Sequence, residues 1–175
     1  MALAPTQNQK QGPSQEYLLL DYLQRLNRSL EGRMAVHIHL SRLRPQNRQD
    51  HHVRIAATTF EGMTQTYDGQ VFILSSSDLF FVCKDASIDD IDAAILKVRH
   101  LFNEDPLTHG EEEEDMARFC TYYNVETQHE EMLDLIKQMH TQYDKCNKQI
   151  ISTYNEKQRN LSKIQQNTIS YNKIP

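Results

Sequence analysis

The chain has few of the features that announce a chemistry. Only three cysteines occur, Cys83, Cys120 and Cys146, far apart and odd in number, with no C-x-x-C pair. That excludes a disulfide framework and a cysteine-ligated zinc site, and it predicts reduced thiols in the cytoplasm. No apolar run approaches the roughly 18 residues of a membrane span. The opening segment MALAPTQNQKQGPSQ lacks the apolar core of a signal peptide. No glycine-rich phosphate loop, no Gly-x-Ser-x-Gly elbow and no Cys–His pair at recognisable spacing is present. Long basic blocks are also missing. The net charge is −5, and the run Glu111 to Asp115 would repel phosphates, so nucleic acid is not an expected partner.

What remains has the dimensions of one domain. The 175 residues are enough to bury a core, and the patterned apolar segments lie within residues 16–143. Residues 1–15 read as a disordered leader, 16–145 as a single α/β domain with flanking helices, and 146–175 as a polar tail, either helical or disordered.

Local spacing predicts the elements in turn. Pro13 and Ser14 start a helix with a stripe at Leu19, Leu23, Leu26 and Leu30, ended at Gly32. From Met34 the chain alternates as a strand, with Met34, Val36, Ile38 and Leu40 on its apolar face and His37 and His39 on the other. Asp50 is the expected cap of a helix buried through Val53, Ala56, Ala57, Phe60, Met63 and Tyr67, stopped at Asp68-Gly69. Residues 70–75 and 79–84 form an antiparallel hairpin around Ser75-Ser76-Ser77-Asp78. Ser87 and Asp90 open a helix with a stripe at Ile91, Ala94, Ile95, Val98 and Leu101. An acidic loop over 108–115 leads to a strand over 117–125, and Thr127 with Glu130 caps a last helix carrying Leu133, Ile136, Met139 and Tyr143. Two β-α-β units sharing a hairpin predict a ferredoxin-like β-α-β-β-α-β core, α+β in class, with an additional helix at each end.

The hairpin resembles the central hairpin of diguanylate cyclase (GGDEF) domains. That family is named for a Gly-Gly-Asp-Glu-Phe turn, and Ser76-Ser77-Asp78-Leu79-Phe80 takes the same five positions. The helix from Asp92 to Arg99 is similar to the one that follows the family's turn. His39-x-Ser41-x-Leu43-Arg44 lies where the family's first strand ends in Asp-x-Asp-x-Phe-Lys. The resemblance covers about residues 33–125. It is closest to degenerate domains found ahead of EAL phosphodiesterase domains in bacterial signalling proteins.

The departures carry the functional expectation. Metal-assisted phosphoryl transfer needs oxygen ligands to neutralise phosphate charge. Here serines replace both glycines, Leu79 replaces the glutamate, and His39 and Ser41 replace the acidic strand positions. Asp78 alone remains. The resemblance therefore implies a catalytically inactive signalling module with no cofactor, acting through a protein partner or self-association. Two other readings stand beside it. One is a nucleotide sensor without turnover, using Arg42, Arg44 and Arg48 with Ser76, Ser77 and Asp78, since arginine forks suit phosphate. The other is a metal-dependent enzyme using His37, His39 and a downstream acid.

Overall fold

The computed structural model of the chain describes residues 12–110 and 113–171, with side chains described outside positions 113 and 165–171. The expected leader thus lies mostly outside the described residues. The chain divides at Lys137 and Gln138 into two units. The first is a mixed α+β unit, and the second is the outer part of a long helix.

The first unit opens with α1 (Gln15–Arg25), where Ser14 Oγ accepts the Tyr17 N–H at 3.2 Å. Such a cap contributes about 1 kcal/mol. Four strands follow: β1 (Arg33–Ile38), β2 (Gln70–Ile73), β3 (Leu79–Lys84) and β4 (Cys120–Asn124). They form one sheet of order β2-β3-β1-β4, and every neighbouring pair is antiparallel. Between β1 and β2 run α2 (Asp50–Thr58) and α3 (Glu61–Thr66). Helix α4 (Ile88–Leu101) follows β3, α5 (Glu113–Phe119) precedes β4, and α6 (Val125–Tyr171) follows it.

One face of the sheet presents Val36, Ile38, Leu79, Phe81 and Cys83 to Val53, Ala56 and Phe60 of the β1–β2 connection and to Ile91, Ile95 and Val98 of α4. All are buried, and each large side chain so removed from water contributes roughly 1.5–3 kcal/mol. Ser87 caps α4 as expected, accepting from Asp90 N–H while its hydroxyl donates to Asp90 Oδ2. Gly69 is required by packing, since a Cβ there would lie 2.7 Å from the Val82 carbonyl oxygen.

The opposite face is also covered. Register places Phe72, Phe80, His37 and Thr121 in one row across the four strands, and Val82, Ala35 and Tyr123 in the next. Helix α1 lies here: Tyr22 meets Phe72 with ring centroids 5.6 Å apart. The start of α6 is tied to α1, where His129 Nε2 donates to the Leu23 carbonyl at 2.9 Å. Leu19 and Leu23 of the expected stripe are fully buried in the unit. Strand β1 therefore has two buried faces, not one.

Several expected boundaries move. Asp50 lies inside α2, and Gln49 is the cap residue, its side chain making no capping bond. The single helix expected to Tyr67 is broken, because the Thr59 and Phe60 N–H groups bond three residues back, tightening the last turn of α2. Residues 117–119 are helical, so the strand begins only at Cys120. Of the expected acidic loop, Glu111 and Glu112 lie outside the described residues, and Glu113 starts α5. The cap of α6 is Asn124, whose Oδ1 accepts from Glu126 and Thr127 N–H, so Thr127 receives the cap and does not provide it. The tail is helical to Tyr171.

Candidate functional site

The residues singled out by their chemistry meet where β1 ends and the β2–β3 turn begins. Leu74 N–H bonds the Asp78 carbonyl at 2.8 Å and Ser77 N–H bonds the Leu74 carbonyl at 2.9 Å. Ser75, Ser76 and Ser77 thus make a three-residue loop. Ser77 closes it with φ 76°, a left-handed conformation that favours glycine. Ser76 Oγ accepts the Asp78 N–H at 3.3 Å.

The turn is held at both ends by buried carboxylates. Glu16 of α1 accepts from the Ser75 N–H at 2.7 Å and the Ser75 hydroxyl at 2.5 Å. Asp78 Oδ1 accepts the Ser41 N–H at 2.6 Å, and its Oδ2 accepts from His37 Nε2 at 3.1 Å. Asp78 is not a local turn residue: both side-chain bonds reach across to β1 and the segment just beyond it. Burial pushes the Asp78 carboxyl up, but the His37 and Ser41 bonds outweigh it and the net shift is downward. A charged Asp78 is the form these donors require.

His37 and His39 are neighbours, with ring centroids 4.1 Å apart. His39 Nε2 shares a hydrogen bond of 2.8 Å with Thr121 Oγ1 on β4. Burial, then the nearby His37 and Arg42, holds the His39 imidazole down to about 4, against a smaller opposing pull from Asp78. His39 is therefore neutral near pH 7. Among the described residues, His37, His39 and Asp78 are the one group of three potential metal ligands, with one donor atom of each within 4.8 Å of the others. All three are buried. The downstream acid of the metal reading is thus Asp78.

The arginines are engaged differently. Arg48 Nη1 donates to the Ser41 carbonyl at 2.7 Å, so Arg48 and Asp78 hold opposite sides of the chain at Ser41. Arg42 Nη1 donates to the Arg118 carbonyl at 2.7 Å. Arg44 contributes its backbone N–H to Asp105 Oδ2 at 2.8 Å, while its side chain is exposed. Two of the three guanidinium groups thus fasten the loop after β1 to its surroundings.

A second surface was not legible as such in the sequence. Beyond Gln138, α6 exposes Ile150, Ile151, Tyr154, Leu161 and Ile164, each more than half accessible. Asn147, Ile150, Tyr154, Lys157, Leu161 and Ile164 follow one another at spacings of 3, 4, 3, 4 and 3. That is the a/d repeat of a left-handed coiled coil. The signal is heptad spacing inside a segment whose composition is dominated by Lys, Asn, Gln and Ser.

Comparison with protein-family models, curated proteins and solved structures finds no match to this chain. No helix among the described residues is long and apolar enough to cross a membrane.

Proposed function

We propose that the chain is a catalytically inactive, cyclase-like signalling module that works through protein contacts in cyclic-dinucleotide signalling. The carrying observation is the state of Asp78, the one carboxylate at the cyclase-like positions. Its two oxygens are taken by His37 and by the Ser41 N–H, and it is buried. A magnesium–nucleotide site needs open oxygen ligands beside a turn that phosphate can approach. Ser76 and Ser77 add side chains to that turn, and Leu79 offers no ligand. The strand order β2-β3-β1-β4 with antiparallel neighbours supports the ferredoxin-like reading of the core. Free Cys83, Cys120 and Cys146 suit a reducing cytoplasm.

The contact surface in this proposal is the outer part of α6, and its occupant is a second copy of the chain. Asn147 at an a position can pair with its own counterpart and fix register. Five of the six e and g positions between residues 144 and 160 (Cys146, Ile151, Thr153, Gln158 and Asn160, with Asp144 the exception) carry no charge, so copies meet little repulsion. Lys157 takes one d position, where its stem can lie along the seam with the ammonium in water. The first helix is not this surface, since Leu19, Leu23 and Leu26 of its stripe are already buried.

Incubating the purified chain with GTP and magnesium or manganese should yield no cyclic di-GMP. Light scattering should give twice the chain mass at micromolar concentration. Product formation would end the inactive reading, and a monomeric mass would end the self-association reading.

A further inference from the structure

Two imidazoles and one carboxylate are brought together at the end of the sheet, and the proposal above gives His39 no role. Magnesium prefers an all-oxygen octahedron, whereas imidazole suits zinc, cobalt, nickel or iron. The separation of 3.1 Å between His37 Nε2 and Asp78 Oδ2 is close to the roughly 3.3 Å between two ligands bound at about 2.0–2.1 Å on a tetrahedral ion. One donor atom of each of the three residues lies within 4.8 Å of the others, close enough to share one ion after side-chain adjustment.

Contacts around the ligands resemble those that orient metal-binding side chains. The Ser41 N–H fixes the second oxygen of Asp78, and Thr121 Oγ1 engages one nitrogen of His39. When His39 donates that bond from Nε2, its Nδ1 holds a lone pair. One feature opposes a cation: Arg42 lies close enough to disfavour positive charge on His39. Arg42 is exposed and turned to the Arg118 carbonyl, which weakens that opposition.

We infer that His37, His39 and Asp78 bind one transition-metal dication, zinc fitting best, as a staple between the end of β1 and the β2–β3 turn. Loading replaces the hydrogen bond between His37 and Asp78. The proton on His37 Nε2 passes to solvent water, the ligating ring is the Nδ1–H tautomer, and the Nε2 lone pair goes to the ion. Asp78 Oδ2 turns from accepting that proton to ligating the ion, and water completes the tetrahedron. Nothing in this depends on the module being catalytically silent, and it requires no nucleotide.

Cobalt(II) is the probe, titrated into the full chain at pH 7 and followed by its visible absorption, with zinc then added in competition. Intense tetrahedral bands saturating at one equivalent and erased by zinc are expected. His39→Gln, checked by circular dichroism for an intact fold, should weaken cobalt binding at least about tenfold. Arg42→Ala, which removes no ligand, should tighten it by about two- to fivefold. If the His39 variant does not fold, the Arg42 variant and the wild-type spectrum decide. A spectrum that stays that of the hydrated ion would overturn the inference. So would undiminished binding in folded His39→Gln, unchanged or weaker binding in Arg42→Ala, or displacement of cobalt by equimolar magnesium.

Discussion

At the β2–β3 turn, Glu16, His37, His39 and Asp78 are buried, and each is bonded to another part of the chain. Along α6 beyond Gln138, Ile150, Ile151, Tyr154, Leu161 and Ile164 stand more than half exposed. One region hides polar groups and the other displays apolar ones, so each departs from the usual partition of a folded chain. The departures have different meanings. Buried polar groups cost stability unless partners are supplied, and at the turn these four side chains bond within the chain, although Glu16 Oε2 is buried without a partner. Exposed apolar groups in heptad register leave a partner to be supplied from outside. Both features are what the proposed contact module requires: a carboxylate bonded within the fold and a helical seam presented outside it.

The comparison breaks most severely at Asp78. Asp78→Ala leaves the His37 imidazole and the Ser41 N–H without their acceptor. The expected loss is about 3 kcal/mol of unfolding free energy, read from urea denaturation. A loss below about 1 kcal/mol would mean that the turn does not rely on this carboxylate.

Acid should act on the same region. His39 has its pKa depressed from 6.5 to about 4, so between those values the unfolded chain binds a proton that the folded chain refuses. Its contribution is fully present above pH 6.5 and is lost as pH falls toward 4. The expected loss is on the order of 2 kcal/mol, allowing for partial solvent screening. Asp78, also depressed, extends the loss as pH falls further through its own folded value. Stability measured from pH 7.5 to 4 should show this slope, and His39→Gln should flatten it.

Ser77→Gly sharpens the comparison in the opposite direction. With φ at 76°, Ser77 carries strain that glycine does not, and the substitution should stabilise the unit by up to about 1 kcal/mol. A melting temperature that falls would show that the Ser77 side chain contributes more than its backbone costs. On α6, Ile150→Glu should change unfolding of the sheet unit by less than about 0.5 kcal/mol while returning the chain to monomeric mass. Dimerisation that survives it would place the seam elsewhere.

Periodicity made most of the first unit legible, because strands and helices announce themselves locally. Ser14 and Ser87 were readable as caps since each bonds within three residues of itself. The misplaced boundaries at Asp50, 117–119 and Thr127 all lie at element ends: Gln49 and Asn124 take the cap positions, and α5 runs on through 117–119. The second buried face of β1 was not readable, because α1 is held on that side of the sheet by residues distant from it in sequence, Phe72 of β2 and His129 of α6. The candidate site has the same character. His37 and His39 are visible as a pair, but Asp78 joins them only through the register that sets β3 beside β1. The arginine cluster was visible as charge, whereas its bonds to the Ser41 and Arg118 carbonyls depend on the path of the loop.

The central claim is that the β2–β3 turn is closed on itself and takes no nucleotide, as the proposed inactive module requires. Calorimetric titration of the full chain with GTP and with cyclic di-GMP, each with and without magnesium, addresses it directly. The account predicts no binding heat under any of the four conditions. Saturable heat with GTP that requires magnesium would contradict it, since that would mean a working metal–nucleotide site at the β2–β3 turn.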